Sequence, residues 1–182
     1  RNFTQGSLQQ SSNSLDVAIN GNGFFEVQLP DGTIGYTRDG SFQLDSQGRL
    51  VTSGGLPVAN GITVPQGATS ISISESGVVS ATMAGNPQPQ QLGQLAMSSF
   101  INSAGLQPAG QNMYKESAAS GPPQQGQPGT NGLGVVRQGF LETSNVNVVE
   151  ELVTMIQTQR AYEMNSKAIQ TSDQMLAKLS QL

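Results

Sequence analysis

The 182-residue chain contains no cysteine, no histidine and no tryptophan. Without cysteine there can be neither a disulfide framework nor a thiolate metal site. Without histidine the commonest general base and the commonest metal ligand are gone. Charge is scarce too: 11% of residues are Asp, Glu, Lys or Arg, less than half of the usual quarter. The net charge is −4, and the basic residues are scattered from Arg1 to Lys178. No basic patch exists for nucleic acid, and no aromatic-basic interleaving for single strands. No apolar run approaches the length of a membrane span. Neither a nucleic-acid partner nor membrane insertion is expected. The chain opens at Arg1 rather than Met and shows no signal peptide. It reads as a trimmed end, which leaves the question of export open.

Gln, Ser, Asn, Thr and Gly fill the place of the missing charge. Surfaces of neutral polar residues repel each other weakly, which suits dense self-packing. At 35% hydrophobic residues the chain can still bury a core, of one ordinary domain or two small ones.

Motifs for chemistry fail on inspection. A nucleophile elbow, Gly-x-Ser-x-Gly, is absent. Gly21-Asn22-Gly23 opens like a dinucleotide loop, but Glu26 stands where the third Gly belongs; Gly132-Leu133-Gly134 fails in the same way at Arg137. Asp31, Asp39 and Asp45 lack the spacing of a calcium loop and each adjoins a turn, so they read as turn formers. A carboxylate pair for glycoside hydrolysis would form in space, not in sequence, but few acids lie outside turns and helix. No catalytic residue, no cofactor and no metal is expected.

The body reads as β structure. Residues 1–14 are polar and predict an extended lead-in. Leu15, Val17 and Ile19 alternate, then Phe24, Phe25, Val27 and Leu29 follow Gly21 and Gly23. Pro30-Asp31-Gly32, Asp39-Gly40, Gln47-Gly48 and Ser76-Gly77 are turn signals. Between them lie runs at Thr33–Arg38, Phe42–Leu44, Leu50–Val51, Ile71–Ile73 and Val78–Met83, the last two a hairpin. Gly85–Pro89 is expected to break the chain, and Leu92, Leu95 and Met97 to carry one strand on to Ile101. Residues 102–134 read as loop, with Pro122–Gly129 an exposed connector. Val135–Leu141 predicts a last strand. Short strands at this spacing predict a mainly β fold: a small all-β barrel- or sandwich-like body over residues 15–143, followed by one long C-terminal α-helix of coiled-coil type over 144–182. A positive φ is expected at Gly23, where substitution would harm the body.

The helix prediction rests on Ser144–Leu182, which holds no proline or glycine although the chain has 22 Gly and 9 Pro. Asn147 can cap, with Glu150 in capping-box position. Met155, Tyr162, Ile169 and Leu176 repeat with period seven. Ala161, Ala168, Met175 and Leu182 lie beside them, and Asn165, Ser172 and Leu179 fall three residues beyond the register. The rest of the chain offers no second helix. The stripe is completed either by the chain's own β body or by protein outside it; the polar seam residues Asn165 and Ser172 favour the second, since such positions set register and oligomer state. The link from body to helix is short and fixes their relative direction loosely.

Two motifs carry a family resemblance. LDVAINGNGFFEV (Leu15–Val27) with GYTRDGSFQLDSQGRLVTSGG (Gly35–Gly55) resembles the shared β-domain signature of bacterial flagellar rod and hook proteins. SNVNVVEELVTMIQTQRAYEMNSKAIQTSDQML (Ser144–Leu176) is similar to their C-terminal helix. Within the family the chain looks most like members that build the distal part of the rod, with Gln91–Ser117 adding to the match. The resemblance implies a structural polymer, exported without a cleaved signal, whose C-terminal helices line a hollow tube while the β domains form its outer layer. It implies self-association, contact with proximal rod proteins and the hook protein, and the P-ring and L-ring as surrounding bushings. The implied packing residues are Asn145, Val146, Asn147, Leu152, Met155, Ile156, Ala161, Tyr162, Asn165, Ala168, Ile169, Ser172, Met175, Leu176 and Leu179. The implied β-domain signature is Asp16, Gly21, Gly23, Phe24, Phe25, Tyr36, Thr37, Arg38, Gly40, Phe42 and Gly48. The family's N-terminal helix, the partner of its C-terminal one, has no counterpart in this sequence. Alternatives are a proximal rod or hook protein of the same family, a β-rich surface-binding module, or a hydrolase built on the β body.

Overall fold

A computed structural model describes residues 3–179, with the side chains of Pro87 and of residues 177–179 outside the description. Leu182 and the side chains of Lys178 and Leu179, named above, therefore lie outside the described residues, as do Arg1 and Asn2. The chain divides into two compact units, Arg1–Ser144 and Asn145–Leu182.

The first unit is built of short strands. The lead-in contains β1 (Leu8–Gln10), then come β2 (Val17–Asn20), β3 (Phe24–Gln28), β4 (Ile34–Thr37), β5 (Phe42–Leu44) and β6 (Leu50–Thr52). These follow the apolar alternation and the turn signals between them. At Pro30-Asp31-Gly32 the Leu29 amide donates to the Thr33 carbonyl (2.9 Å), closing the β3–β4 hairpin. β7 (Ala68–Ile73) and β8 (Val78–Met83) form the expected hairpin around Ser76-Gly77.

Beyond Met83 the expectations need correction. Only Ala84-Gly85 turns; Gly85–Pro89 does not break the chain, because β9 (Asn86–Gln94) resumes at once and carries two prolines. β9 is the edge of its sheet, where a missing N–H costs no ladder bond. The strand foreseen from Leu92 to Ile101 is two strands. β10 (Met97–Ser99) starts after Leu95 and Ala96 have crossed to another sheet. Residues 102–134 are not simply loop: a single 3₁₀ turn (Ser103–Gly105), β11 (Gln107–Gly110), β12 (Met113–Lys115) and β13 (Gln124–Gly126) lie there. The connector at Pro122–Gly129 thus supplies an edge strand, and Pro128 is buried. The last strand splits at Gly139 (φ 74°) into β14 (Val135–Gln138) and β15 (Phe140–Glu142).

The pairing is antiparallel throughout. A six-stranded sheet runs β11-β12-β4-β3-β10-β13, a three-stranded one β7-β8-β9, and two-stranded pairs join β1 to β15, β2 to β14 and β5 to β6. Every sheet except the β1–β15 pair contributes residues to one shared core, and none of the described sheets closes into a barrel. Phe25 and Phe42 meet edge to face at 5.2 Å in a core that includes Val17, Ile19, Leu50, Val79 and Met97. A second cluster gathers Phe24, Tyr36 and Phe100. There burial, with Glu26 and Glu116 nearby, pushes the Tyr36 phenol up to about 12. Two carboxylates are buried, Asp16 and Glu26. Asp16 accepts from the Ser11 hydroxyl and the Asn13 amide (2.9 Å); Glu26 accepts from the Ser98 hydroxyl and from the Gln125 amide (3.2 Å), so the oxygens of both are satisfied.

Gly23 has φ +129°, and a Cβ there would come within 2.6 Å of Met97 Cε. The backbone conformation disfavours a side chain at this position, and the Met97 methyl would have to shift to admit one.

The three aspartates are turn formers. Each accepts the backbone amide two residues on: Asp31 from Thr33 (2.9 Å), Asp39 from Ser41 (3.0 Å), Asp45 from Gln47 (2.8 Å). For Asp39, burial alone would raise its carboxyl. Hydrogen bonds from Ser41 and Asn112 outweigh this and hold it below its ordinary value of 3.8. A folded-state pKa below the unfolded one contributes stability that is present above the unfolded value and lost as pH falls through the folded one. Asp39→Asn is therefore expected to be less stable than the natural chain at neutral pH. Urea unfolding across the acid range should show that gap closing below about pH 4; a constant gap would remove Asp39 from the acid response.

Candidate assembly site

The second unit is essentially one helix, α1 (Val148–Leu179), of 32 residues and therefore roughly 48 Å long. It starts where Asn147 caps it: the Asn147 side-chain oxygen accepts the Val149 amide (3.1 Å) and its carbonyl the Glu151 amide (3.1 Å). Among the described hydrogen bonds Glu150 does not complete a capping box; with Glu151 it places negative charge against the helix N-terminus. Thr158 and Thr171 return their hydroxyls to the carbonyls of Thr154 and Lys167 (2.9 and 2.8 Å). Neither hydroxyl needs an outside partner.

The described apolar residues of α1 are exposed. Leu152 is 50% exposed, Tyr162 77%, Ile169 and Leu176 64% each. Asn145, Val146, Asn147, Met155, Ile156, Ala161, Asn165, Ala168, Ser172 and Met175 are exposed as well. A single exposed leucine needs no explanation, but a row of them along one helix marks a contact surface. Residues seven apart on a straight helix drift by about 20° per heptad. Met155, Tyr162, Ile169 and Leu176 therefore stay on one side of α1 over its whole length.

The β-domain signature residues hold the body together from several positions. Phe25 and Phe42 are core, Phe24 and Tyr36 belong to the second cluster, and Asp16 bridges to Ser41. The Thr37 hydroxyl donates to the Asn112 carbonyl (2.8 Å). Gly21, Gly40 and Gly48 sit where a Cβ would strike backbone, at 2.8, 1.6 and 2.4 Å.

Arg38 organises the strand that leads toward α1. β1 pairs with β15 in the register Leu8↔Glu142, Gln9↔Leu141, Gln10↔Phe140. Arg38 Nε donates to Glu142 Oε2 at 2.8 Å, both side chains being largely buried, and Glu142 Oε1 accepts the Gly6 amide at 2.8 Å. The Arg38 terminal nitrogens donate to the carbonyls of Gly21 (3.1 Å), Gly23 (3.0 Å) and Ile19 (3.5 Å). One guanidinium thus ties the β2–β3 loop to the final strand and, through Glu142, to the lead-in. Sequence reading placed Arg38 in the signature and missed Glu142, which lies 104 residues away. Arg38→Met should cost about 3 kcal/mol in urea unfolding, since it strands a largely buried carboxylate and three carbonyls. Adding Glu142→Met should cost less than the sum of the two single changes, because the pair is coupled.

A 440 Å³ cleft beside Leu29 and Pro108 has one acid, Asp31, which is engaged by Lys115 (2.6 Å). Among the described residues no group of three or more Asp and Glu could hold a metal. No described helix is long and apolar enough to cross a membrane.

A body signature joined to a naked terminal helix agrees with two family descriptions. Residues 18–81 match the flagellar hook protein FlgE/F/G D1 domain, and residues 137–182 match the flagellar basal body rod FlgEFG protein C-terminal region. The class is thereby set as that of flagellar hook and rod subunits. The chain is 59% identical over 182 residues to the flagellar basal-body rod protein FlgG of Buchnera aphidicola subsp. Acyrthosiphon pisum, covering 100% of this chain and 70% of the relative. It is 53% identical over 178 residues to FlgG of Borreliella burgdorferi, covering 97% and 67%. Against the rod protein FlgF of Caulobacter vibrioides the identity is 34% over 171 residues, covering 92% and 64%. The chain belongs to the FlgG family of flagellar basal-body rod proteins.

Proposed function

We propose that this chain is a structural subunit of the distal part of the flagellar rod, a driveshaft that carries torque to the hook. In this reading α1 packs into the core of a hollow helical tube of like subunits, and the β body forms the outer layer. Proximal rod proteins and the hook protein meet the polymer at its ends, and the P-ring and L-ring surround it. The rod crosses the periplasm, and its subunits reach it without a cleaved signal. The chain performs no catalysis.

The observation that carries the proposal is the exposed apolar row on α1. A 32-residue helix with Tyr162, Ile169 and Leu176 in solvent is completed by packing against protein. The weakly charged surface agrees with close lateral packing.

Because the chain has no cysteine, a single introduced thiol reports on one position. Ile169→Cys should react quickly with a maleimide in the isolated chain and at least about tenfold more slowly in purified basal bodies, as burial withdraws the thiolate from water. Equal rates in the two states would remove α1 from the polymer's interior.

A further inference from the structure

Four asparagines stand directly before a glycine: Asn20, Asn22, Asn60 and Asn131. Such a pair can react with itself. The glycine amide nitrogen, having given up its proton to water or hydroxide, attacks the carbonyl carbon of the asparagine side chain. The new C–N bond closes a succinimide ring, and the side-chain nitrogen leaves as ammonia. Water then opens the ring at either of its carbonyls, which yields aspartate or isoaspartate. Glycine allows the attack most readily, since no Cβ crowds the nucleophile. The fold decides the rest. The glycine amide must be free, the side chain must be free, and the peptide between the two residues must be able to swing toward the side chain.

Three of the four pairs fail these conditions. The Gly21 amide donates to Gln5 Oε1 (3.0 Å), and Asn20 ends β2 in register with Val135. The Gly61 amide donates to the Val58 carbonyl (3.0 Å), and the Asn60 carboxamide donates to the Gln94 carbonyl (2.8 Å). At Asn22 the swing is blocked. Its carbonyl accepts the Gly134 amide (2.7 Å), and Gly23 is buried against Met97 and Leu133.

Asn131 meets all of them. Asn131 (φ 51°) and Gly132 (φ 78°) are the central residues of a tight turn, closed by the Leu133 amide donating to the Thr130 carbonyl (2.8 Å). Both are exposed. Among the described hydrogen bonds none uses the Asn131 side chain, the Asn131 carbonyl or the Gly132 amide. A Cβ built on Gly132 meets nothing within 4 Å, so the ring has room to form. One turn bond is all that opposes the swing.

We propose that Asn131 is a site of spontaneous deamidation, with the Gly132 amide as nucleophile and water as the second reactant. Each event adds a negative charge to a weakly charged surface. The isoaspartate product also lengthens the main chain directly before Leu133, which belongs to the shared core. The chemistry lies within the β body, so it stands or falls apart from the rod assignment.

The test is incubation of the whole folded chain in mildly alkaline buffer, followed by trypsin digestion and mass spectrometry. Trypsin releases Glu116–Arg137 with Asn131 as its single asparagine. Fragmentation of the other peptides separates Asn20, Asn22 and Asn60. Conversion at Asn131 should be at least about tenfold faster than at the other three, which must wait for local opening of the fold. In urea the four rates should converge. Equal rates in the folded chain would overturn the proposal, as would faster conversion at Asn22 or Asn60. Gly132→Ala should preserve the amide at position 131 over the same interval. Continued conversion in that variant would remove Gly132 as the nucleophile; the natural chain alone keeps the comparison valid should the variant fold poorly.

Discussion

Gly40→Ala is expected to abolish the folded β body. A Cβ at this position would lie 1.6 Å from the Val17 carbonyl oxygen, 2.7 Å from its carbonyl carbon and 3.3 Å from the Phe25 ring. The obstacle is backbone, not the flexible end of a side chain. Val17 cannot retreat, because it is fully buried, donates its own amide to the Gly40 carbonyl (3.0 Å) and anchors β2 against β14. Relief would require shifting β2 off the core that holds Phe25 and Phe42. Single changes costing more than about 4 kcal/mol are exceptional, and the whole stability of a domain is about 5–15 kcal/mol. This one belongs to the exceptional class. Gly55→Ala is the matched comparison: its Cβ would meet nothing within 4 Å, and only the positive φ (+79°) is strained. It should lose about 1 kcal/mol. Far-ultraviolet circular dichroism on heating distinguishes the two. A Gly40→Ala chain that melts cooperatively within a few degrees of the natural one would refute the close-approach argument.

Ile169→Asp should do the opposite: leave the isolated chain as stable as before and stop the flagellum. Ile169 is 64% exposed on α1, so the folded monomer loses no packing, and surface changes of this kind stay within about 0.5 kcal/mol. In a polymer the same carboxylate would sit in an apolar seam without a partner, which costs several kcal/mol in every subunit. Leu176→Asp, one heptad further, should behave alike. The measurement pairs thermal melting of the purified chain with swimming of cells that carry the change in their full-length rod gene. Normal swimming would argue against a packed seam.

The parts of the structure that could be read in advance are those whose reasons are local. α1 was legible because proline and glycine are missing from it and its apolar residues repeat. β2 to β8 were legible because branched and aromatic residues alternate between turn signals that act through Asp and Gly. β11 and β13 were not, since Gln107–Gly110 and Gln124–Gly126 contain no apolar alternation; they are strands only because a neighbouring edge offers them hydrogen bonds. β9 hid behind its prolines for the same reason. Gly40 stood in the motif without its cause, because Val17 comes close only after the chain has turned back on itself. The Arg38–Glu142 pair joins the two ends of the body and leaves no mark on the sequence near either residue.

The β1–β15 register has a mechanical consequence. The two strands run antiparallel with Leu8 opposite Glu142, so the chain on the N-terminal side of β1 and the chain leading to α1 leave the body from the same end of the ladder. A force that separates them loads the ladder as a zipper, one rung at a time, beginning at Leu8–Glu142. That first rung is the one riveted by Arg38 and backed by the Gly6 amide. Tearing the body open therefore begins at its strongest link.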